Sequence, residues 1–326
     1  MNKSDDILIE VKNLKKYFPI KNKFMTDEKK FVKAVDDVSF EIKKGETFGL
    51  VGESGCGKST LGRTITRLYD VTDGDVFFEG TNISKLNKKQ MKDYYKKMQI
   101  IFQDPYSSLN PYMNVEELIN EPIALHLNLT KNQRLGKIEN LLEMVGMKKD
   151  DMEKFPHEFS GGQCQRIGIA RAIATEPDFV LCDEPISALD VSIQAQVVNM
   201  LEDLQDKMGL TYLFVAHDLA MVRHISDRIG VMYLGSIVEI AKSNDLYKNP
   251  LHPYTKALLS SIPIADPKKA HEAIRSVITG DIPSPMDIPS GCRFHTRCPY
   301  VKAICREVSP VIKIVEAEHS VACHLY

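Results

Sequence analysis

A glycine-rich stretch near the start of the chain has the residue types and the spacing needed to hold phosphate. Two glycines flank four residues, and a lysine and hydroxyl residues follow, in the run Gly52, Glu53, Ser54, Gly55, Cys56, Gly57, Lys58, Ser59 and Thr60. Glycines let backbone N–H groups turn toward an anion, and a helix N-terminus attracts negative charge. In such a P-loop the lysine bridges the β- and γ-phosphates, and the first hydroxyl, here Ser59, binds Mg²⁺. The spacing predicts a nucleotide site rather than an ordinary strand–helix turn.

Two adjacent carboxylates follow an apolar run later in the chain. Residues 179–182 are Phe-Val-Leu-Cys, and Asp183 and Glu184 come directly after them. Carboxylates at the end of a buried strand are costly unless a cation or substrate is present, and ligands bind at this end of a parallel sheet. We expect Asp183 to hold Mg²⁺ through water and Glu184 to orient and activate the attacking water. The alternative, a solvated acidic turn, is weak once the P-loop is accepted.

Other polar residues follow predicted strands or begin a predicted helix. His217 follows the apolar run 211–216, and Gln103 follows the strand-like run 100–102. A lone histidine is more often structural, but the carboxyl ends of parallel strands meet at one edge, which places His217 beside the acidic pair. Ser160, Gly161, Gly162 and Gln163 open an apolar helix, where a serine N-cap and small residues make a second anion site. An ordinary loop-to-helix cap is the alternative.

One aromatic residue near the N-terminus is suited to contact a nucleobase. Tyr17 follows the strand-like run 7–11, upstream of the P-loop. An aromatic ring in such a position can stack on adenine. An exposed tyrosine on a β-edge is the alternative.

The composition describes an ordinary globular protein and excludes several classes. The chain has 326 residues, 43% of them hydrophobic, which is enough for one large domain and a smaller one. The net charge of −2 gives no reason to expect nucleic acid as a partner. No run of 18 apolar residues and no secretory signal is present, so we expect a cytosolic protein whose seven cysteines are not structural disulfides.

Four of the seven cysteines lie in a proline-rich C-terminal stretch, at Cys292, Cys298, Cys305 and Cys323. Four thiolates suit tetrahedral zinc or an iron–sulfur cluster. The spacing lacks the short C-x₂-C pairs of zinc ribbons and fits neither common ferredoxin run. Four reduced, partly buried thiols are the alternative. A tail with little core of its own would gain folding energy from metal ligation.

The motifs, in this order, resemble the ATP-binding subunit of an ABC transporter over about residues 7–245. The resemblance implies an α/β fold of the ABC-type P-loop NTPase class, with a RecA-like core, an antiparallel β-subdomain and a helical subdomain at about residues 104–175. It implies that Gln103 senses the γ-phosphate, binds Mg²⁺ and touches the membrane subunit, and that His217 contacts the γ-phosphate. Residues 160–163 close over the ATP of the opposite subunit, and Asp190 lies at the dimer interface.

Two further stretches are similar to the ATPases of oligopeptide and dipeptide importers, and most similar to the second of their two paired ATPases. They are residues 103–111 and the tail from residue 252 to residue 299. This divides the chain into an ATPase domain, 1–245, and a C-terminal extension, 246–326. Small departures are Phe159, Cys164 and Ile186, none of which removes a phosphate or metal ligand.

That resemblance implies a role, partners and cofactors. The chain is expected to hydrolyse ATP with Mg²⁺ and to drive peptide import from the cytoplasmic side of the membrane, where it is bound peripherally. The implied partners are a homologous second ATPase, two transmembrane permease subunits and an extracellular peptide-binding protein. Similar extensions include examples with a [4Fe–4S] cluster, so a structural, non-redox cluster is predicted in the tail. The alternatives are import of nickel or another small solute and, in a different class, a non-transport ABC ATPase.

Overall fold

The computed structural model describes residues 6–20, 30–261 and 280–326. Part of the predicted tail, residues 262–279, lies outside this range. The strands are β1 (Ile7–Pro19), β2 (Phe31–Lys43), β3 (Thr47–Val51), β4 (Asp73–Phe78), β5 (Thr81–Asn82), β6 (Met98–Ile101), β7 (Phe179–Asp183), β8 (Thr211–Val215), β9 (Arg228–Tyr233), β10 (Ser236–Lys242), β11 (Lys313–Glu316) and β12 (His319–Val321).

The helices over the same residues are α1 (Lys58–Ile65), α2 (Lys88–Lys97), α3 (Val115–His126), α4 (Lys131–Met144), α5 (Gly161–Ile173), α6 (Val191–Met208), α7 (Leu219–Ile225), α8 (Ser243–Lys248), α9 (Pro253–Ser260) and α10 (Ile304–Glu307). Two short 3₁₀ turns, Lys149–Glu153 and Pro156–Glu158, lie between α4 and α5. The predicted helical region at about residues 104–175 therefore contains α3, α4 and α5.

The larger sheet carries the predicted site residues. Its order is β11-β12-β10-β9-β3-β8-β7-β6, and the strands from β9 to β6 pair in parallel. Every residue of β3, β7 and β8 is buried, as expected for parallel strands covered on both faces. Because the strands run in parallel, the segments after β3, β6, β7 and β8 meet at one edge.

Side-chain alternation divides the core between the two faces of this sheet. Val180 and Cys182 of β7 pack with α3–α6 on one face. Phe179 and Leu181 pack on the other face with α1 and the smaller sheet. Successive side chains of a strand point to opposite faces, so a continuous apolar run is what a strand buried on both sides requires.

The smaller sheet is antiparallel, with the order β2-β1-β4-β5. β1 pairs with β2 over its whole length and with β4 over its first part. The two sheets, the helices on both faces and the helical region are the α/β architecture that the sequence predicts.

The tail is continuous with the core sheet. β12 pairs with β10 through Glu239 and Ile240, and β11 pairs with β12 at the edge. The buried carboxylate of Glu239 accepts hydrogen bonds from the backbone N–H groups of Leu251 and His252 and pairs with His319 at 2.7 Å. A division at residue 246 stays a prediction, and the hydrogen bonding of the core sheet crosses it.

Candidate nucleotide site

The P-loop follows β3 directly and has a backbone that only glycine fits. Gly52 and Gly57 have φ angles of 154° and 109°. A Cβ on Gly52 would lie 2.2 Å from the carbonyl oxygen of Met232, and one on Gly57 would lie 2.0 Å from that of Ala34. The glycines therefore allow both the loop conformation and its close approach to neighbouring backbone.

Lys58 begins α1 and turns back into the loop. Its Nζ donates to the carbonyl oxygens of Gly52 and Glu53 at 2.9 and 3.1 Å, and the residue is 4% exposed. Burial raises the pKa of the neighbouring Cys56 thiol, whose Sγ lies 3.9 Å from the ammonium. The loop thus holds one cation beside a neutral thiol at a helix N-terminus, which suits an anionic ligand.

Asp183 is the last residue of β7, and its side chain is 1% exposed. Arg63 of α1 donates to Oδ2 through Nε at 2.9 Å and Nη2 at 2.8 Å. Oδ1 is buried and has no hydrogen-bond partner among the residues that the structure describes. A buried carboxylate oxygen left unpaired fits a bound water or cation, so Asp183 suits Mg²⁺. The expected binding of the same ion by Ser59 and Gln103 stays a prediction.

The other two predicted catalytic residues, Gln103 and His217, both lie close to the carboxylate of Glu184. Its Oε2 accepts a hydrogen bond from Gln103 Nε2 at 2.7 Å, and His217 Nδ1 lies 3.6 Å from the same oxygen. Its φ of 51° is in the left-handed region, which is uncommon for a residue other than glycine. The strained turn places the carboxylate where the segments after β6, β7 and β8 meet. The structure therefore brings Gln103, Glu184 and His217 together, and the sequence predicted this for His217 and Glu184.

The second predicted anion site is built around the start of α5. Ser160 caps this helix in a reciprocal pair with Gln163, at 2.9 and 3.4 Å. Gly162 lies against α6, where a Cβ would come within 2.7 Å of Ile193. Asp190 is the exposed N-cap residue of α6. Among the described hydrogen bonds, none joins these residues to the P-loop of the same chain.

Tyr17 is half-buried on β1, where it pairs with Lys33 of β2 and lies beyond the pairing of β1 with β4, which ends at Lys15. Its hydroxyl donates to the carboxylate of Asp36. Burial raises the pKa of Tyr17 well above its usual range, and the hydrogen bond to Asp36 raises this pKa further. The expectation that the ring stacks on adenine stays a prediction.

Sequence reasoning missed Arg63. A buried carboxylate needs a cationic or hydrogen-bonding partner, and a basic residue on the helix after the P-loop was the available signal. Arg63 lies on the second turn of α1, facing the strand that carries Asp183.

The four tail cysteines lie near one another but are not arranged as a metal site. Burial raises the pKa of Cys292 to about 11, and the charges of the other three add to this rise. Within the described residues, no group of three or more His, Cys, Asp or Glu side chains is placed to hold a metal ion. The arrangement therefore does not support the predicted iron–sulfur cluster.

Comparison with known proteins agrees with this geometry. Residues 35–187 match the family model described as ABC transporter, and residues 238–305 match the one described as Oligopeptide/dipeptide transporter, C-terminal region. The oligopeptide transport ATP-binding protein AppF of Bacillus subtilis strain 168 is 52% identical, and the match covers 99% of this chain and 98% of AppF. The chain belongs to the ATP-binding proteins of oligopeptide ABC transporters. It is therefore an ABC-type ATPase.

Further comparisons place this ABC-type ATPase among its relatives. The oligopeptide transport ATP-binding protein OppF of the same organism is 57% identical over 82% of this chain and 86% of OppF. The ATP-binding cassette MJ0796, solved as a dimer in a post-hydrolysis state with ADP and Pi, superposes with a TM-score of 0.65 at 27% identity. That match covers 72% of this chain and 99% of the other. The predicted ABC-type fold is confirmed.

The helices of this ABC-type ATPase were also compared with the length and hydropathy needed for a membrane span. None of those in the described part of the chain is long and apolar enough to cross a membrane.

Proposed function

We propose that this chain hydrolyses ATP at an interface with a homologous ATPase subunit and thereby drives the import of peptides through a membrane permease. The observation that carries the hydrolysis step is the meeting of Gln103, Glu184 and His217 at the edge of the parallel sheet where the P-loop also follows its strand. A carboxylate held by an amide and a histidine at the open end of a parallel sheet suits activation of a water molecule.

Each part of the site has a separate task in this reaction. The P-loop N–H groups and Lys58 bind the phosphates, in the place where the lysine now meets its own loop carbonyls. Glu184 takes a proton from the attacking water, while Gln103 and His217 hold its carboxylate and face the γ-phosphate. Ser59, Gln103 and Asp183 would hold Mg²⁺, which when bound neutralises charge on the phosphates.

A second ATPase subunit supplies the other half of each site in this proposal. Residues 160–163 and Asp190 are not joined to the P-loop of their own chain by any described hydrogen bond. Val191, next to Asp190, is 81% exposed at the start of α6. Both features fit a surface that closes over the nucleotide of a partner, and the related cassette MJ0796 was solved as a dimer.

A groove near Gln103 is the proposed contact with the permease, on the cytoplasmic side of the membrane. It is a cavity of about 1050 Å³ between β6 and α3, and Phe102, Pro122 and Leu125 contribute to its lining. Leu125 is 61% exposed. A groove lined by both apolar and charged side chains, beside the residue that contacts Glu184, would let permease movements reach the catalytic carboxylate.

Peptides are the proposed solute, selected by the permease and by an extracellular binding protein. The support is the similarity to OppF and AppF and the match of residues 238–305. Nickel or another small solute is the alternative. Uptake of labelled peptides and of nickel by cells with and without this chain distinguishes them, and loss of peptide uptake alone is expected.

The composite site makes a prediction about assembly. The purified chain alone should hydrolyse ATP slowly, at a rate per chain that rises with concentration. The rate should rise strongly when the second ATPase and the two permease subunits are added in lipid, because only then are both halves of each site present. Phosphate release at several chain concentrations measures this. High turnover that does not depend on concentration would contradict the composite site.

The [4Fe–4S] cluster of the tail is a separate proposal. Its support lies in the sequence, where Cys292, Cys298, Cys305 and Cys323 supply four thiols in a proline-rich tail. Iron and labile sulfide analysis after anaerobic purification should find about four of each per chain, the content of one such cluster. Colourless protein with four alkylatable thiols ends the proposal, and stoichiometric zinc would replace it.

A further inference from the structure

Two arginines of the C-terminal tail reach back to the nucleotide site. Arg297 donates from Nη1 to Glu53 Oε2 at 2.8 Å and from Nη2 to Glu53 Oε1 at 3.0 Å. Its side chain is 7% exposed. Paired, charge-assisted bonds of this kind fix orientation as well as position. Glu53 follows Gly52 in the P-loop, so a residue 244 positions away in sequence holds the loop that binds phosphate.

Aromatic rings hold the Arg297 guanidinium in place. It lies 5.8 Å from the ring centroid of Tyr233 and 6.0 Å from that of Phe294. Tyr254 packs against these two rings, with centroids 4.7 and 5.4 Å away. The Tyr254 hydroxyl also accepts a hydrogen bond from the backbone N–H of Glu53 at 2.8 Å. The tail and the P-loop are therefore joined through a packed cluster and not through a surface ion pair alone.

Arg293 makes a corresponding connection on another side of the site. Its Nη2 donates to Asp36 Oδ2 at 2.7 Å, and its Nη1 donates to the carbonyl oxygen of Leu234. The other carboxylate oxygen of Asp36 accepts from the hydroxyl of Tyr17. Through Asp36, the tail thus fixes the residue that we expect to face adenine.

The negative charge of Glu53 gives Arg297 an electrostatic role in addition to its packing contacts. The carbonyl oxygen of Glu53 accepts from Lys58 Nζ at 3.1 Å, so the backbone of this acidic residue is part of the phosphate cradle. Salt screens charges only beyond about 8 Å at physiological ionic strength. An unpaired carboxylate on this loop would therefore repel a triphosphate, and the ion pair with Arg297 cancels that repulsion.

We propose that the C-terminal tail is a positioning element of the ATP site, in which Arg297 holds and neutralises Glu53 while Arg293 holds Asp36 and Tyr17. Arg297 serves the phosphate end of the nucleotide, and Arg293 serves the base end. Both are positioning residues because they act through side chains of the site. The proposal rests on the proposed ATP-binding function, and it adds that the tail sets nucleotide affinity.

The proposed roles of the two arginines are distinguished by measuring the binding of two ligands, ATP and inorganic tripolyphosphate, to the full chain in the presence of Mg²⁺. Arg297→Met should weaken the binding of both by about tenfold, or about 1.4 kcal/mol. Arg293→Met should weaken ATP by about fivefold and leave tripolyphosphate within about twofold. Arg306→Met is the matched control, since Arg306 is an exposed tail arginine without a described side-chain contact, and it should bind both ligands like the parent chain.

Removing the charge of Glu53 tests the electrostatic part and does not require Arg297 to be changed. Glu53→Gln keeps an oxygen for Arg297 and leaves the guanidinium charge uncancelled near the phosphates, so ATP affinity should rise. Glu53→Gln combined with Arg297→Met should recover most of the affinity lost by Arg297→Met alone. In hydrolysis by the assembled complex, Arg297→Met should raise KM and leave kcat nearly unchanged.

Two results would overturn the proposal. One is parent-like affinity for both ligands in Arg297→Met at an unchanged Tm. The other is a fall in ATP affinity of more than about threefold in Glu53→Gln, because a purely structural clamp weakens with either partner, whereas cancelled repulsion does not. A parent chain that fails to bind ATP at all would instead reject the proposed function, so the two failures are distinguishable.

Discussion

Glu184→Gln lowers the rate of ATP hydrolysis by about 10²- to 10⁴-fold while ATP still binds, the range expected for loss of a general base. The substitution keeps the size of the side chain and removes the negative charge of the carboxylate. Its Oε2 accepts a hydrogen bond from Gln103 and lies near His217. The P-loop and Lys58 are untouched, so the phosphate cradle remains. Phosphate release by the assembled complex and the Kd of ATP for the purified chain measure the two effects separately.

A matched control for this result is Glu143→Gln. Glu143 is an exposed glutamate of α4 without a described side-chain contact, so its variant should hydrolyse ATP like the parent. If Glu184→Gln also turned over ATP at close to the parent rate, the role assigned to this carboxylate would be wrong.

Lys58→Ala produces the other large effect, on nucleotide binding itself. Lys58 is 4% exposed, and its ammonium donates hydrogen bonds to two loop carbonyls, which phosphate oxygens would replace as acceptors. Losing hydrogen bonds from a charged donor costs about 1.5–3 kcal/mol, or roughly 10- to 150-fold in Kd. Calorimetric titration of the purified chain with ATP measures the change in Kd.

Lys131→Ala serves as the comparison, because Lys131 is exposed at the first turn of α4. It should bind ATP with parent affinity. Parent-like binding by Lys58→Ala at an unchanged Tm would remove this lysine from the phosphate site.

The parts of the site that sequence predicted are those encoded by short patterns. Each of these patterns is a buried strand followed directly by polar residues. They are the P-loop, the acidic pair after one apolar run and His217 after the next. Parallel strands bring such strand ends to one edge, so the place of His217 beside Glu184 could be predicted from the strands. The role of Gln103 came only from the family resemblance. Ser160 as a helix cap was likewise a local signal.

The contacts that sequence did not predict join residues far apart in the chain. Arg63 is 120 positions from Asp183, and Arg293 is 257 positions from Asp36. A single arginine carries no pattern that names its partner, and only the packing of the folded chain brings the charges together. The pairing of β12 with β10 was also missed. β12 has three residues, which is too few for a clear alternation of apolar and polar side chains.

The tail contacts also set the order in which the site can be completed during synthesis. A ribosome makes a chain from its N-terminus, and early segments begin to fold first. Asp36 and Glu53 therefore leave the ribosome long before Arg293 and Arg297, which are made 257 and 244 residues later. A chain ended early by a stop codon or a protease would keep its P-loop and acidic pair but lack both arginines and β12. With the proposed role of the tail, only a chain that includes both arginines binds nucleotide with full affinity.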